Sequence, residues 1–132
     1  MADYITTYSK IQFTPLSPKT EDILIEDIAH ALSMMTRANG HFPEFYSVGQ
    51  HSIACHEEAK ARNYSKKVQM ACLLHDASEA YISDITRPVK KNLQTYLSVE
   101  DILQSMIYEK FLSEPLTEEE KQLVSNVDDT LL

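Results

Sequence analysis

The sequence predicts an all-α, single-domain helical bundle, preceded by a short extended or hairpin N-terminal arm at residues 1–19. Three observations predict it. Apolar residues recur at helical spacing through most of the chain from residue 20 onward. Only two glycines occur in 132 residues, and Ala, Glu, Lys, Leu and Ile are frequent, a composition that favours helix. The periodic segments are joined by short stretches, with no long alternating run to make a strand. No repeat, low-complexity segment or linker divides residues 20–132, which are enough to bury one core.

The elements follow in order. The arm is rich in Tyr, Thr and Ile and is broken by Pro15 and Pro18, with β character from Tyr4 to Phe13. Thr20 or Ser17 can open the first helix, with Glu21 and Asp22 in its first turn. Leu24, Ile28, Ala31, Leu32 and Met35 give its apolar stripe, and it should run to about Arg37, before the Asn39-Gly40 turn. On another face of this helix, His30 reads as a hydrogen-bonded packing residue. After a loop at 38–46, a second helix begins near Ser47. Its stripe carries Val48, His51, Ser52, Cys55 and Ala59, so His51 faces the core, as a satisfied core histidine or as a ligand. His56 falls off the stripe and reads as surface. Ser65 caps a third helix that is apolar almost all round from Val68 to Leu74, which marks it as the centre of the bundle. Thr86 can cap a short helix with Pro88 in its first turn. Residues 98–112 form a further helix, with Val99, Ile102, Leu103, Met106, Ile107 and Phe111 inward. Thr117 and Glu120 form a capping box for the last helix, whose inward side carries Leu123, Val124, Val127 and Leu131.

Composition bounds the function. A net charge of −8 leaves no basic face of the kind a general nucleic-acid binder needs. A small anionic substrate remains compatible, because a few local Arg or Lys can hold one phosphate. There is no apolar run long enough for a membrane span and no signal-peptide pattern at the start, so the cytoplasm is the expected location. Cys55 and Cys72 lie inside apolar patterns at a spacing unlike a zinc pair, and read as buried structural thiols.

The richest chemistry lies in residues 71–84, where an apolar run ends in His75, Asp76, Glu79 and Asp84. Buried carboxylates are costly unless paired or bound to a metal. His75 and Asp76 point about 100° apart on a helix, so an ion lying between those directions can touch both. Glu79 is three and four residues further on, near both. Asp128 lies on the inward stripe of the last helix, where a carboxylate needs a partner. His51, His75, Asp76 and Asp128 together have the nitrogen and oxygen mix of a first-row divalent metal site. Arg87, Lys90 and Lys91 form a small basic patch beyond the acidic cluster, which alone reads as a solvated face. Gly-rich phosphate loops, a Gly-x-Ser-x-Gly elbow and a Cys-x-x-Cys pair are all absent.

These residues carry a resemblance. The His75-Asp76 pair, with His51 upstream and Asp128 downstream, resembles the H…HD…D ligand order of the HD-domain superfamily of metal-dependent phosphohydrolases. The wording is closest to the branch of bacterial 5′-nucleotidases and their phage-encoded relatives. It runs through Asp27 to Ser33, Tyr46 to Ser52, and His75-Asp76-Ala77-Ser78-Glu79 on to Asp84 and Pro88-Val89-Lys90. The resemblance covers about residues 20–131 and implies a helical bundle of the HD-domain type. It implies one divalent ion (Mn, Co, Zn, Ni or Mg) on His51, His75, Asp76 and Asp128. Glu79 is implied as the acid/base carboxylate, Asp84 as a second catalytic carboxylate, and Arg37 as the catalytic arginine on the substrate phosphate, helped by Arg87 or Lys90. Family domains continue through further helix after the last aspartate, so the domain is expected to be C-terminally short here.

The function implied is a metal-dependent phosphohydrolase acting on a nucleotide, a 5′-nucleotidase-type phosphomonoesterase on nucleoside monophosphates. The alternatives are a deoxynucleoside triphosphate triphosphohydrolase and a non-catalytic nucleotide-binding module. The expected partner is a small phosphorylated molecule rather than nucleic acid or membrane, and the helical surface allows a homodimer.

Overall fold

A computed structural model describes residues 2–132. The arm forms a small antiparallel hairpin, β1 (Ile5–Thr6) with β2 (Gln12–Phe13), in the register Ile5 opposite Phe13 and Thr6 opposite Gln12. Lys10 takes a left-handed φ of 72° in the turn. The hairpin is tied down by Asp27, a buried carboxylate that accepts hydrogen bonds from Ser9 N at 2.9 Å and Ser9 Oγ at 2.7 Å. Such bonds to a charged acceptor are stronger than neutral ones. Phe13, fully buried, stacks on Tyr81 with ring centroids 3.9 Å apart.

The rest of the described chain is helical: α1 (Ile25–Met34), α2 (Val48–Ala61), α3 (Lys66–Leu74), α4 (Glu79–Ile82), α5 (Arg87–Lys90), α6 (Gln94–Phe111) and α7 (Glu118–Thr130). No helix is long and apolar enough to cross a membrane among the described residues.

The first helix is shorter than the periodicity predicts. Thr20–Asp22 forms a separate 3₁₀ turn, and Leu24 is extended at φ −118°, ψ 136°, so α1 begins at Ile25. It stops at Met34 because the next residues bind a neighbouring segment instead. Thr36 pairs antiparallel with Ser47, and Arg37 N donates to Tyr46 O at 2.8 Å. Arg37 therefore sits on a loop clasped to the start of α2 rather than on a helix.

The helix carrying His75 also ends earlier than expected. α3 closes at Leu74, and residues 75–78 continue as tight turns with i→i+3 bonds, Ala77 N to Leu74 O and Glu79 N to Asp76 O, before α4 resumes. The His75–Ser78 segment thus lies on a tightened turn between two helices. α6 starts at Gln94, ahead of the predicted 98. Leu103 and Ile107 are its buried residues, whereas Ile102, expected inward, is 58% exposed. The face beside Leu103 belongs to Gln104, whose Nε2 donates to Leu74 O at 2.8 Å and whose Oε1 accepts from Ser78 N at 3.1 Å. One amide side chain thereby gives Ser78 N a partner at the helix break and adds a second donor to Leu74 O, which already accepts from Ala77 N.

Two apolar clusters fill the interior. One gathers the hairpin, α1 and α6 around Phe13, Ile28, Leu32, Val48, Leu74 and Tyr81. The other joins α2, α3 and α7 through Cys55, Ala59, Val68, Cys72, Val124 and Val127. Along α2, His51 falls between Val48 of the first cluster and Cys55 of the second, so the polar site lies at their seam.

Gln104→Ala should destabilise the protein by about 1–3 kcal/mol, the usual cost of stranding a buried donor, here Ser78 N. Urea unfolding with an unchanged slope would measure it. A change within about 0.5 kcal/mol would show that Gln104 does not hold the turn.

Candidate metal centre

Three helices bring the site together. α2 is set by a complete capping box, Gln50 N to Ser47 Oγ at 3.0 Å and Ser47 N to Gln50 Oε1 at 2.8 Å, a motif legible in the sequence as Ser-x-x-Gln. It presents His51, which is 1% exposed. α3 ends on His75, whose Nδ1–H donates to Cys72 O at 2.7 Å. That bond fixes the ring and turns Nε2 towards His51 and Asp128, as outer partners of ligand histidines do. α7, capped by the predicted Thr117/Glu120 box, delivers Asp128 in its last turns.

The donor atoms converge. Asp128 Oδ1 is 2.9 Å from His51 Nε2 and 3.2 Å from His75 Nε2. Asp76 Oδ2 is 3.2 Å from His75 Nε2 and 3.8 Å from His51 Nε2. Two donors each about 2.1 Å from one ion lie about 3.0 Å apart at octahedral angles and about 3.4 Å at tetrahedral angles. The spacings fall around these values, so the donor set fits a single divalent ion in both size and chemistry. The four residues expected as ligands lie near one another, but the group whose donor atoms are all mutually close contains Cys55 and not Asp76.

Cys55 was missed as part of this group. It is free and buried, as predicted, but its Sγ is 3.5 Å from His51 Nε2. His51, Cys55, His75 and Asp128 offer atoms that all lie within 4.8 Å of one another, a group that could hold a metal ion. The available signal was its position four residues after His51 on the same helical stripe.

The electrostatics follow from packing carboxylates against imidazoles. Burial works against the charge on Asp128, but hydrogen bonds from His51 and His75 outweigh it and hold the carboxyl far below its usual range. Burial opposes a charged His75 ring, yet Asp76 and Asp128 raise its pKa. Burial, reinforced by Asp128 and Asp76, pushes the Cys55 thiol up to about 12.

A cavity of about 210 Å³ adjoins the cluster, lined by Arg37, Asp76, Glu79, Asp84, Arg87 and Asp128 among others. Glu79 is 5% exposed and its Oε1 has no hydrogen-bond partner among the described residues. Burial first, then the charges of Asp76 and Asp84, push its carboxyl up to about 11. Asp84 is raised by burial and by Asp76, against the pull of Arg37, Lys90 and His51. The charge of Asp76 thus raises both Glu79 and Asp84, and a cation nearby would relieve that crowding. Arg37 Nη1 is likewise buried without a partner among the described residues. The other two expected phosphate ligands are already engaged. Arg87 donates to Asp128 Oδ2 and Asp129 Oδ1, both at 3.2 Å, and Lys90 pairs with Glu100 at 2.6 Å. Elsewhere, His56 pairs with Glu57 near the surface as expected, while His30 stacks on Tyr8 of the arm at 3.9 Å rather than packing through a hydrogen bond.

Comparison with known proteins adds relatives without an assigned activity. The chain is 36% identical over 108 residues to the uncharacterized protein YfdR of Escherichia coli K12, an alignment covering 82% of this chain and 58% of that protein. It is 36% identical over 101 residues to an uncharacterized protein of Rhodobacter capsulatus, covering 73% of this chain and 52% of that one. The chain thus spans about half the length of the curated relatives it matches. No family model matches it.

Glu79→Gln should stabilise the metal-free protein increasingly as pH rises. The folded pKa lies above the unfolded one, so between the two the native state binds the extra proton and stability falls with pH. Glutamine removes that loss. The unfolding free energies of the two proteins, from urea titrations, should nearly coincide near pH 4.5 and diverge towards pH 8, by no more than about 1.4 kcal/mol per pH unit. Parallel curves would show that Glu79 ionises freely.

Proposed function

We propose that the protein is a metal-dependent phosphohydrolase of the HD-domain type, acting on a nucleoside monophosphate to release phosphate. The observation that carries this reading is the meeting of His51, His75, Asp76 and Asp128 at ligand spacing, beside a cavity that also holds Arg37, Glu79 and Asp84. The four residues would hold one divalent ion, with Mn, Co, Zn, Ni and Mg all compatible with such a donor set. When bound, the ion supplies Lewis acidity towards a phosphoryl oxygen and acidifies water.

The chain's own groups supply the rest. Arg37, with a buried nitrogen unpartnered among the described residues, is a cation placed to donate hydrogen bonds to the oxygens of a phosphoryl group. Glu79 keeps a proton through burial and crowding, which suits it to protonate a leaving sugar oxygen. Asp84, raised less and set among cations, suits the complementary task of holding an attacking water. A monophosphate is favoured over a triphosphate because Arg87 and Lys90 are committed to carboxylates, leaving little positive charge for two more phosphates.

The test is a panel of nucleoside mono- and triphosphates with each divalent metal, assayed separately for phosphate and for triphosphate. Phosphate from monophosphates is expected, with Asp76→Ala losing metal and Glu79→Gln keeping metal but losing about 10²–10⁴-fold in turnover. Triphosphate as the product would assign the triphosphohydrolase alternative. Nucleotide binding without turnover would assign the non-catalytic module.

A further inference from the structure

Among the described residues none from α6 lines the cavity, yet α6 holds both ends of the segment that forms one wall of it. Asp84, Ile85, Thr86 and Arg87 line the cavity in succession, between Ser83 at the end of α4 and Lys90 at the end of α5. At one end, Tyr96 of α6 donates its hydroxyl to Ser83 O. At the other, Glu100, one turn further along α6, pairs with Lys90 Nζ at 2.6 Å. Lys90 Nζ also stands 5.6 Å from the centroid of the Tyr96 ring, within reach of a cation–π contact, so the two grips brace each other.

Ser83 itself is strained. Its φ is 81° and its ψ is 161°. A left-handed residue that closes a helix ordinarily has ψ of about 47°, whereas the combination at Ser83 belongs essentially to glycine. A residue with a Cβ persists there only when its surroundings hold it. Two bonds hold its peptide groups: Ser83 N donates to Glu79 O at 2.9 Å, and Ser83 O accepts from the Tyr96 hydroxyl. The Ser83 side chain is exposed, so the strain serves the path of the backbone and not the burial of the residue. The next residue on that path is Asp84, on the cavity wall.

We propose that Tyr96 is a positioning residue for Asp84: its hydroxyl holds Ser83 in the strained conformation that keeps Asp84 on the cavity wall. This rests on the reading of Asp84 as a catalytic carboxylate. Without the hydroxyl, Ser83 relaxes to a negative φ and carries Asp84 off the wall. Tyr96 thus acts on the reaction through the backbone of Ser83 without touching substrate. A glycine at position 83 takes the same conformation without strain, so there the hydroxyl becomes dispensable.

Tyr96→Phe and Ser83→Gly, alone and combined, test this by crystallography and by turnover of a nucleoside monophosphate with manganese. In the Tyr96→Phe crystal, Ser83 should show a negative φ and Asp84 should stand away from the cavity. Its kcat should fall about 10–100-fold, with KM changed by less than about threefold because Arg37 is untouched. In the Ser83→Gly background, the same Tyr96→Phe change should cost less than about threefold in kcat. A loss caused by poorer packing of the ring would not be rescued in this way. Ser83 unmoved at positive φ in Tyr96→Phe would overturn the proposal. So would a displaced Asp84 with unchanged kcat, or a loss that persists in full in the Ser83→Gly background. If the wild-type protein turns over no nucleotide while the Tyr96→Phe crystal shows the displacement, the phosphohydrolase reading fails and the hold on Asp84 stands.

Discussion

Asp128 holds the molecule's chemistry together. One carboxylate oxygen reaches histidines from α2 and α3, and the other reaches Arg87 on α5. The residue thus fixes the approach of α7 to the two central helices at the seam between two apolar clusters. A carboxylate in that position is costly unless its charge is matched, and here it is matched by imidazoles and a guanidinium. The same geometry that satisfies the carboxylate points the histidine nitrogens at a common space. Removal of Asp128 would disturb both the packing of α7 and the convergence of the histidine nitrogens, because they are one arrangement.

The second constraint is the interruption of helix at residues 75–78. With the break in place, Asp76 approaches the His51 nitrogen at 3.8 Å. Tightening the chain into i→i+3 turns redirects His75 and Asp76 and lets α4 place Glu79 at the cavity wall. Backbone groups freed by such a break need partners, and Gln104 from α6 supplies one to Ser78 N while also donating to Leu74 O. The arm contributes from the far side, where Phe13 stacks on Tyr81 of α4. A turn of four residues is therefore supported by a side-chain amide behind it and an aromatic pair beneath the helix that follows.

Much of this was legible from periodicity and caps. The stripe Val48, His51, Ser52, Cys55 and Ala59 is buried as read, and the Thr117/Glu120 box starts the last helix. The hairpin at the arm and the inward Asp128 were also visible. What escaped the sequence depends on contacts between distant segments. α1 stops at Met34 because Thr36 and Arg37 find partners at Tyr46 and Ser47, which local propensity cannot register. Ile102, expected inward, is exposed, and Gln104, to which the sequence reading gave no role, meets the broken helix instead. Cys55 looked like filler on an apolar stripe, and only the convergence of α3 and α7 on His51 gives its sulfur neighbours of functional interest. Arg87 and Lys90 read as free cations, while their carboxylate partners lie on α7 and α6, about 40 and 10 residues away in the chain.

The central claim is that the cluster is a metal site, and anomalous diffraction from a crystal of this protein soaked in manganese addresses it most directly. The account predicts one strong anomalous peak per chain, about 2.1 Å from His51 Nε2 and His75 Nε2 and from carboxylate oxygens of Asp76 and Asp128. A crystal with no peak there, in which His51 and His75 remain hydrogen-bonded to Asp128 in the presence of excess metal, would contradict it.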